Sequence, residues 1–192
     1  MTGKELMALV ARMGFSKSLD ENEPYFYQIT SLSLLQISRH FPLTKTITLN
    51  HKDGDSYYTE YDLGVLCDDF RSFPEQPLRL GSLLLQEGRD FLLEESRVRL
   101  AKGHEGNLEI RYLRLPERLH ADNMEKELDI APEALSLLPL LVASYLWADD
   151  RAELASHYLG LFRSELADMK RAHLAHAPGG YQCRNGWRKL QC

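Results

Sequence analysis

The sequence predicts a mixed α+β fold, in which a small α-helical bundle of about four helices carries an inserted antiparallel β subdomain and an extended C-terminal tail. Three observations lead to this prediction. Apolar residues recur at helical spacing near both ends of the chain, they alternate with polar residues in the middle, and residues 178–192 do neither. The chain has 192 residues, of which 44% are hydrophobic and 27% charged, so it is long enough to bury such a core.

Residues 1–43 predict a hairpin of two helices. In "TGKE", Thr2 can cap a helix while Glu5, three residues later, returns a hydrogen bond to the cap, which is the capping-box arrangement. Apolar residues at helical spacing follow this start. The stretch "DENEPYFYQITSLSLLQISRHFP" predicts the second helix, which ends at Pro42 because proline cannot continue it.

Residues 44–116 predict antiparallel strands. The clearest hairpin is "SRVRLAKGHEGNLEIRYLRL", where apolar and charged residues alternate on both sides of a glycine-containing turn. Such alternation leaves one face of each strand wet in a lone subunit. We therefore expect that face to make contacts with other subunits or with another protein, through Arg97, Arg99, Glu109 and Arg111.

Residues 117–177 predict the helices that complete the bundle. Asp129 followed by Pro132 and Glu133 is typical of a helix start. The apolar run "LLPLLVASYLW" is shorter than the roughly 20 residues that span a bilayer, which indicates a core helix. The last helix is predicted from Arg151 to about His173, with an apolar face that includes Tyr158, Leu161 and Phe162.

The sequence shows no arrangement of residues that predicts catalysis. Cys67 has no histidine placed by spacing to activate it, and no glycine-rich loop could hold a phosphate. The histidines do not follow metal-ligand spacing, and the three cysteines are too few for a disulfide framework. We expect no enzyme activity, no cofactor and no metal site.

Charge is divided unevenly along the chain. From Lys170 onward there are five basic residues and no acidic one, whereas the preceding residues hold 18 basic and 28 acidic side chains. An acidic body with a basic tail suggests a polyanionic or acidic partner for the tail. Pro178, Gly179 and Gly180 separate the tail from the last helix, and its aromatic residues are of the type that anchors interfaces.

The order of these elements resembles the head–tail connector (adaptor) proteins of tailed bacteriophages. Members of that family commonly show an acidic start with Pro-Glu, an apolar helix like "LLPLLVA", an aspartate-rich break and a final helix rich in Ala, Tyr and Leu. The β insertion of this chain is longer than that of the minimal four-helix members. The matching features occupy Asp129 to Glu133, Leu137 to Ala143, Trp147 to Asp150 and Ala152 to Lys170.

The resemblance implies a structural virion protein in the neck between capsid and phage tail, made in the cytoplasm of the bacterial host. It implies a ring of about twelve copies beneath the portal protein, bound below by a stopper or tail-tube protein. Genome DNA would pass through the ring without sequence-specific binding, and no membrane would be involved. In such connectors the C-terminal segment commonly lodges against the portal, which assigns portal docking to Tyr181, Arg184, Trp187, Arg188 and Lys189.

Two alternatives remain open. The chain could form another ring of the phage neck or tail, such as a tail terminator or a baseplate part. It could also bind nucleic acid through the basic tail, because aromatic rings stack on bases and cations neutralise phosphates. Five basic residues on an acidic body are a weak electrostatic attraction for DNA, which favours the connector.

Overall fold

A computed structural model describes residues 1–15, residue 19 and residues 23–176. Within these ranges the chain is mixed α+β, with five α-helices and eight strands arranged in two antiparallel sheets. The helices are α1 Gly3–Val10, α2 Glu23–Ile37, α3 Leu63–Leu66, α4 Leu137–Leu146 and α5 Ala152–His176. The strands are β1 Leu43–His51, β2 Tyr58–Asp62, β3 Phe70–Ser72, β4 Leu78–Leu80, β5 Leu83–Leu84, β6 Phe91–Glu94, β7 Arg97–Ala101 and β8 Gly106–Arg114.

The predicted capping box at the start of α1 is confirmed. The Thr2 hydroxyl accepts a hydrogen bond from the Glu5 backbone N–H at 3.2 Å, and the Glu5 carboxylate accepts one from the Thr2 N–H at 2.8 Å. After α1 the chain turns at Gly14, whose φ of 114° favours glycine. A Cβ at this position would lie 2.7 Å from the Trp147 ring, so glycine also permits the close contact of this turn with α4.

The predicted architecture, a bundle of about four helices with a β insertion, is wrong. The structure instead has a central helix, α4, against which α1, α2 and α5 pack. α4 gathers neighbours on several sides because it is apolar nearly all round, whereas the eight residues of α1 are too few to run the length of a bundle. The fully buried residues of α4 are Leu137, Leu138, Leu141, Val142 and Ala143.

The predicted last helix is confirmed as α5, but one part of its predicted face is wrong. Phe162 and Leu166 are buried against the helical core, and Tyr158 is packed at its edge. Leu161, in contrast, is 43% exposed. The core lies against too narrow a stripe of α5 to cover this leucine, although its spacing from Tyr158 fits the helical repeat.

The strands enclose a second hydrophobic core of their own. In the first sheet β1 and β4 flank β8, β5 pairs with β4, and β3 pairs with the end of β8. In the second sheet β2 and β6 flank β7. Side chains from both sheets meet in one cluster, which includes Val98 and Leu100 from β7 and Leu108, Ile110 and Tyr112 from β8.

The predicted hairpin between β7 and β8 is wrong. β7 pairs with β2 and β6, while β8 pairs with β1, β3 and β4, so the turn at Gly103–Gly106 carries the chain from one sheet to the other. The inward apolar residues of both strands are fully buried in the shared core, which requires the strands to face each other across it. Alternation defines the inward face of a strand but does not define its neighbour.

A linker, residues 115–131, joins the two cores. At its start the Arg114 guanidinium forms a two-fold contact with the Asp129 carboxylate, with 2.6 Å between Nη2 and Oδ1. Asp129 also accepts the backbone N–H of Glu117 at 2.8 Å. Asp129 therefore does not cap a helix, as the sequence predicted, but holds the linker to the end of β8.

Candidate functional site

An apolar groove lies between α2 and the first part of the linker, with a volume of about 430 Å³. The Leu119 backbone N–H donates to the Ser31 hydroxyl at 3.0 Å, and that hydroxyl donates to the Tyr27 carbonyl at 2.8 Å. The first hydrogen bond ties the linker to α2, and the second orients the Ser31 hydroxyl within the helix. Its lining consists of Tyr27, Gln28, Ser31, Leu32, Leu35, Leu115, Pro116, Arg118, Leu119 and His120.

Apolar residues on two sides of α2 explain why the groove is apolar. Phe26, Leu34 and Ile37 point into the helical core and are buried. The opposite side of α2 carries Leu32, which is 50% exposed, and the facing linker carries Leu115, which is 37% exposed. Large apolar side chains that line a concave surface from both sides are typical of a binding site.

An acidic cleft of about 780 Å³ lies on the other side of the same linker. Five carboxylates and two guanidinium groups line it, so its charge is negative. Among the described residues, Asp68 and Glu127 form no ion pair, so their charges are available to a ligand. The lining consists of Asp68, Asp69, Arg114, Leu115, Pro116, Glu117, Arg118, Glu127, Leu128 and Asp129.

Two carboxylates in the cleft ionise more readily than usual. Burial opposes the ionisation of Asp129, but hydrogen bonds from Arg114 and from the Glu117 backbone outweigh it and lower its pKa. For Asp69 burial again opposes ionisation, while hydrogen bonds from Tyr112 and Lys45 lower the pKa overall. Both groups are therefore anionic at neutral pH.

The predicted contact residues on β7 are engaged within the subunit. Arg97 contacts the Asp62 carboxylate at 3.3 Å and Glu60 at 3.5 Å, and Arg99 contacts Glu60 at 3.2 Å and Glu94 at 2.9 Å. These pairs join β7 to β2 and β6 on an exposed face of the second sheet. Exposed pairs of this kind contribute little to stability, roughly 0–1 kcal/mol each.

The other two predicted contact residues lie in the first sheet. Glu109 stands opposite Arg79 of β4 and Thr48 of β1, and Arg111 is exposed opposite Thr46. The structure therefore does not bring the four predicted residues together, because the turn between β7 and β8 places them in different sheets. The predicted portal-docking residues Tyr181, Arg184, Trp187, Arg188 and Lys189 lie outside the described residues.

The buried pair of His51 and Tyr61 in the β part has a structural role. His51 is 1% exposed, with Nδ1 2.6 Å from the Tyr61 hydroxyl and Nε2 3.4 Å from Asp53. Burial raises the pKa of Tyr61, so its hydroxyl stays protonated and shares a hydrogen bond with Nδ1 of the imidazole. The cluster links β1 to β2, and thereby the two sheets, and leaves the imidazole too enclosed to meet a substrate.

Sequence reasoning missed the groove and the cleft. The "LRLPERLH" stretch that separates them has no regular period, and the helix opposite it is distant in sequence. Within the described ranges no group of three or more His, Cys, Asp or Glu side chains could hold a metal ion. No helix there is long and apolar enough to cross a membrane.

Comparison with known proteins identifies no relative of this chain. No protein-family model matches the chain, and no curated protein matches it. A function must therefore be argued from the fold, the exposed apolar surfaces and the charges described above.

Proposed function

We propose that the chain is a structural subunit of a tailed-phage virion, a head–tail connector that assembles into a ring beneath the portal protein. The order and composition of its C-terminal helices support this, as the resemblance described above implies. The single structural observation that carries the proposal is the presence of two separate exposed apolar patches on the β part. We call these the α3 patch and the β5 patch.

The α3 patch consists of Val65 and Leu66, which are 79% and 52% exposed. Leu63 of the same short helix is fully buried, and its backbone N–H donates to the Ser96 carbonyl at 2.9 Å. The helix is therefore anchored on one side and presents two apolar side chains to solvent on the other. Leaving apolar side chains of this size in water is unfavourable, which suggests a partner surface.

The β5 patch consists of Leu83 and Leu84, which are 54% and 40% exposed. β5 reaches β8 through β4, where Leu80 stands opposite Leu108 near the beginning of β8. α3 lies instead near the end of β8, because β3, which soon follows it, pairs with Arg114. The two patches therefore lie toward opposite ends of the pair formed by β1 and β8, the longest among the described residues.

Two different patches on one subunit suit a ring. In a ring each subunit uses one surface toward the neighbour on its left and another toward the neighbour on its right, so the contact is heterologous. A symmetric dimer would need only one self-complementary patch. The acidic body also suits a channel, since like charge keeps packaged DNA from adhering as it passes.

The proposal predicts that Val65→Asp prevents assembly without unfolding the subunit. Placing a charge on the α3 patch would require burying an unpaired carboxylate in the ring contact, which is strongly unfavourable. Mass photometry of the protein mixed with purified portal protein should show a complex carrying about twelve added subunits for the wild type, and none for the variant.

The matched control is Ser164→Asp, which introduces the same charge at an exposed position of α5. This variant should assemble like the wild type, and both variants should keep the circular dichroism spectrum and melting temperature of the wild type. Normal assembly of Val65→Asp would exclude the α3 patch as a ring contact. Absence of any portal complex for the wild type would contradict the connector function itself.

A further inference from the structure

We propose that the groove and the acidic cleft together bind the chain's own C-terminal tail, residues 178–192, in the free subunit. This docking does not depend on the proposed function. If the tail also binds the portal protein, the docking keeps its anchoring residues covered until the portal displaces it.

The groove and the cleft lie next to each other. The groove and the cleft share Leu115, Pro116 and Arg118, so they lie on the two sides of one short stretch of linker. A peptide that crosses this stretch would contact apolar side chains on one side and carboxylates on the other. The site therefore selects a ligand in which large apolar and basic residues stand close together.

The tail, "PGGYQCRNGWRKLQC", carries such a combination and no acidic residue. Tyr181 and Trp187 can each bury roughly 150–250 Å², which suits a groove of this size. Arg184, Arg188 and Lys189 stand within a few residues of these rings and can pair with the cleft. The carboxylates of Asp68 and Glu127, which form no ion pair among the described residues, are the natural partners.

The tail is long enough to reach both surfaces. The helix to which it is joined, α5, packs against α4, and α4 packs against α2, which lines the groove. The groove runs along α2 from Tyr27 to Leu35, which is roughly 12 Å of helix. A tail of this length can extend roughly 50 Å, so it can enter the groove and cross the linker of the same chain.

The covalent link between the tail and α5 favours the chain's own tail over that of a second copy. A tethered ligand acts at an effective concentration in the millimolar range, which exceeds the concentration of a second subunit in dilute solution. The intramolecular contact therefore forms first, even when the intrinsic affinity of the groove for the tail is weak.

The test uses the native cysteines of the tail in the full-length chain. Gln28 is exposed and lines the groove, so Gln28→Cys places a thiol where Cys183 or Cys192 would pass. The control is Leu83→Cys, which is also exposed but lies on β5, away from the groove. Under mild oxidation we expect the residue 28 thiol to form an intrachain disulfide with the tail about tenfold faster than the residue 83 thiol.

Two second-site changes test the chemistry of the contact. Trp187→Ala should slow the cross-link at position 28 by removing an anchor, and Glu127→Lys should slow it by removing an attraction. Neither change should alter the rate at position 83, and melting temperatures would show that each variant is folded. Raising the salt concentration should slow the reaction at position 28 alone.

Equal rates at positions 28 and 83 would overturn the proposal. Disulfide-linked dimers as the main product at position 28 would also overturn it, since the groove would then bind the tail of a second copy. Slow cross-linking at position 28 that neither Trp187→Ala nor Glu127→Lys affects would show chance collision, which likewise excludes docking.

Discussion

Replacing Phe162 with alanine should destabilise the protein by about 3–5 kcal/mol, the cost typical of removing a buried aromatic ring. Phe162 is 3% exposed and lies where α5 meets the helical core around α4. Its loss would leave a cavity that the neighbouring side chains of the helical core cannot fill without moving. Since domains are stable by only about 5–15 kcal/mol, the variant should be close to unfolding at physiological temperature.

Leu161→Ala is the matched control, one residue away on the same helix. Because Leu161 is 43% exposed, its truncation should change the free energy of unfolding by less than about 1 kcal/mol. Urea unfolding followed by circular dichroism at 222 nm would measure both changes. Similar stabilities for the two variants would show that the core does not depend on the face of α5 that carries Phe162.

Replacing Asp129 with alanine should destabilise the protein by about 1–3 kcal/mol, less than a fully buried pair would cost, because the partners are partly exposed. The Asp129 and Arg114 side chains are 19% and 24% exposed, so the change would leave a half-buried guanidinium without its carboxylate. It would also remove the acceptor of the Glu117 N–H. Glu125→Ala, which breaks the exposed pair with Lys4, should change stability by less than about 0.5 kcal/mol.

The effect of Asp129→Ala should depend on pH. The folded protein lowers the pKa of Asp129 below the ordinary value of 3.8, so the ionised carboxylate stabilises the fold above that value. This contribution is lost as the pH falls through the lowered pKa. The difference in stability between wild type and variant should therefore be constant near neutral pH and shrink below pH 3.8. A constant difference down to strong acid would show that the contact does not depend on ionisation.

Local features of the fold could be predicted from the sequence because their causes are local. The Thr2 and Glu5 capping box depends on residues three positions apart, and α5 follows from a regular apolar repeat. The inward residues of β7 and β8 follow from alternation. In each case the residues that determine the structure are close together in the sequence, and their side chains suffice to define it.

Pairings between distant segments could not be predicted in this way. Asp129 has the surroundings of a helix start, but Arg114 at the end of β8 provides a stronger partner. β8 pairs with β1 and not with β7, which precedes it in the sequence. This arrangement buries the apolar faces of both β7 and β8 in the shared core. The groove was missed for the same reason, since α2 and the linker form it together and neither carries a motif.

The pairing of β1 with β8 also constrains the order of events during synthesis. β1 pairs along its whole length, from Leu43 opposite Arg114 to His51 opposite Gly106, so it has no partner until β8 has left the ribosome. Contacts between residues so far apart in sequence form slowly, because a long loop must close first. Until then β1 is an unpaired strand edge, which is open to association with other chains.

The helical core must wait still longer. Thr2 bridges to Glu127, and the Lys4 N–H donates to the Met124 carbonyl, so α1 cannot be fixed before the linker emerges. Phe162 completes the core only when much of α5 has been made. We therefore expect the nascent chain to fold from its middle outward, with the strands pairing first and α1 and α5 packing around α4 last.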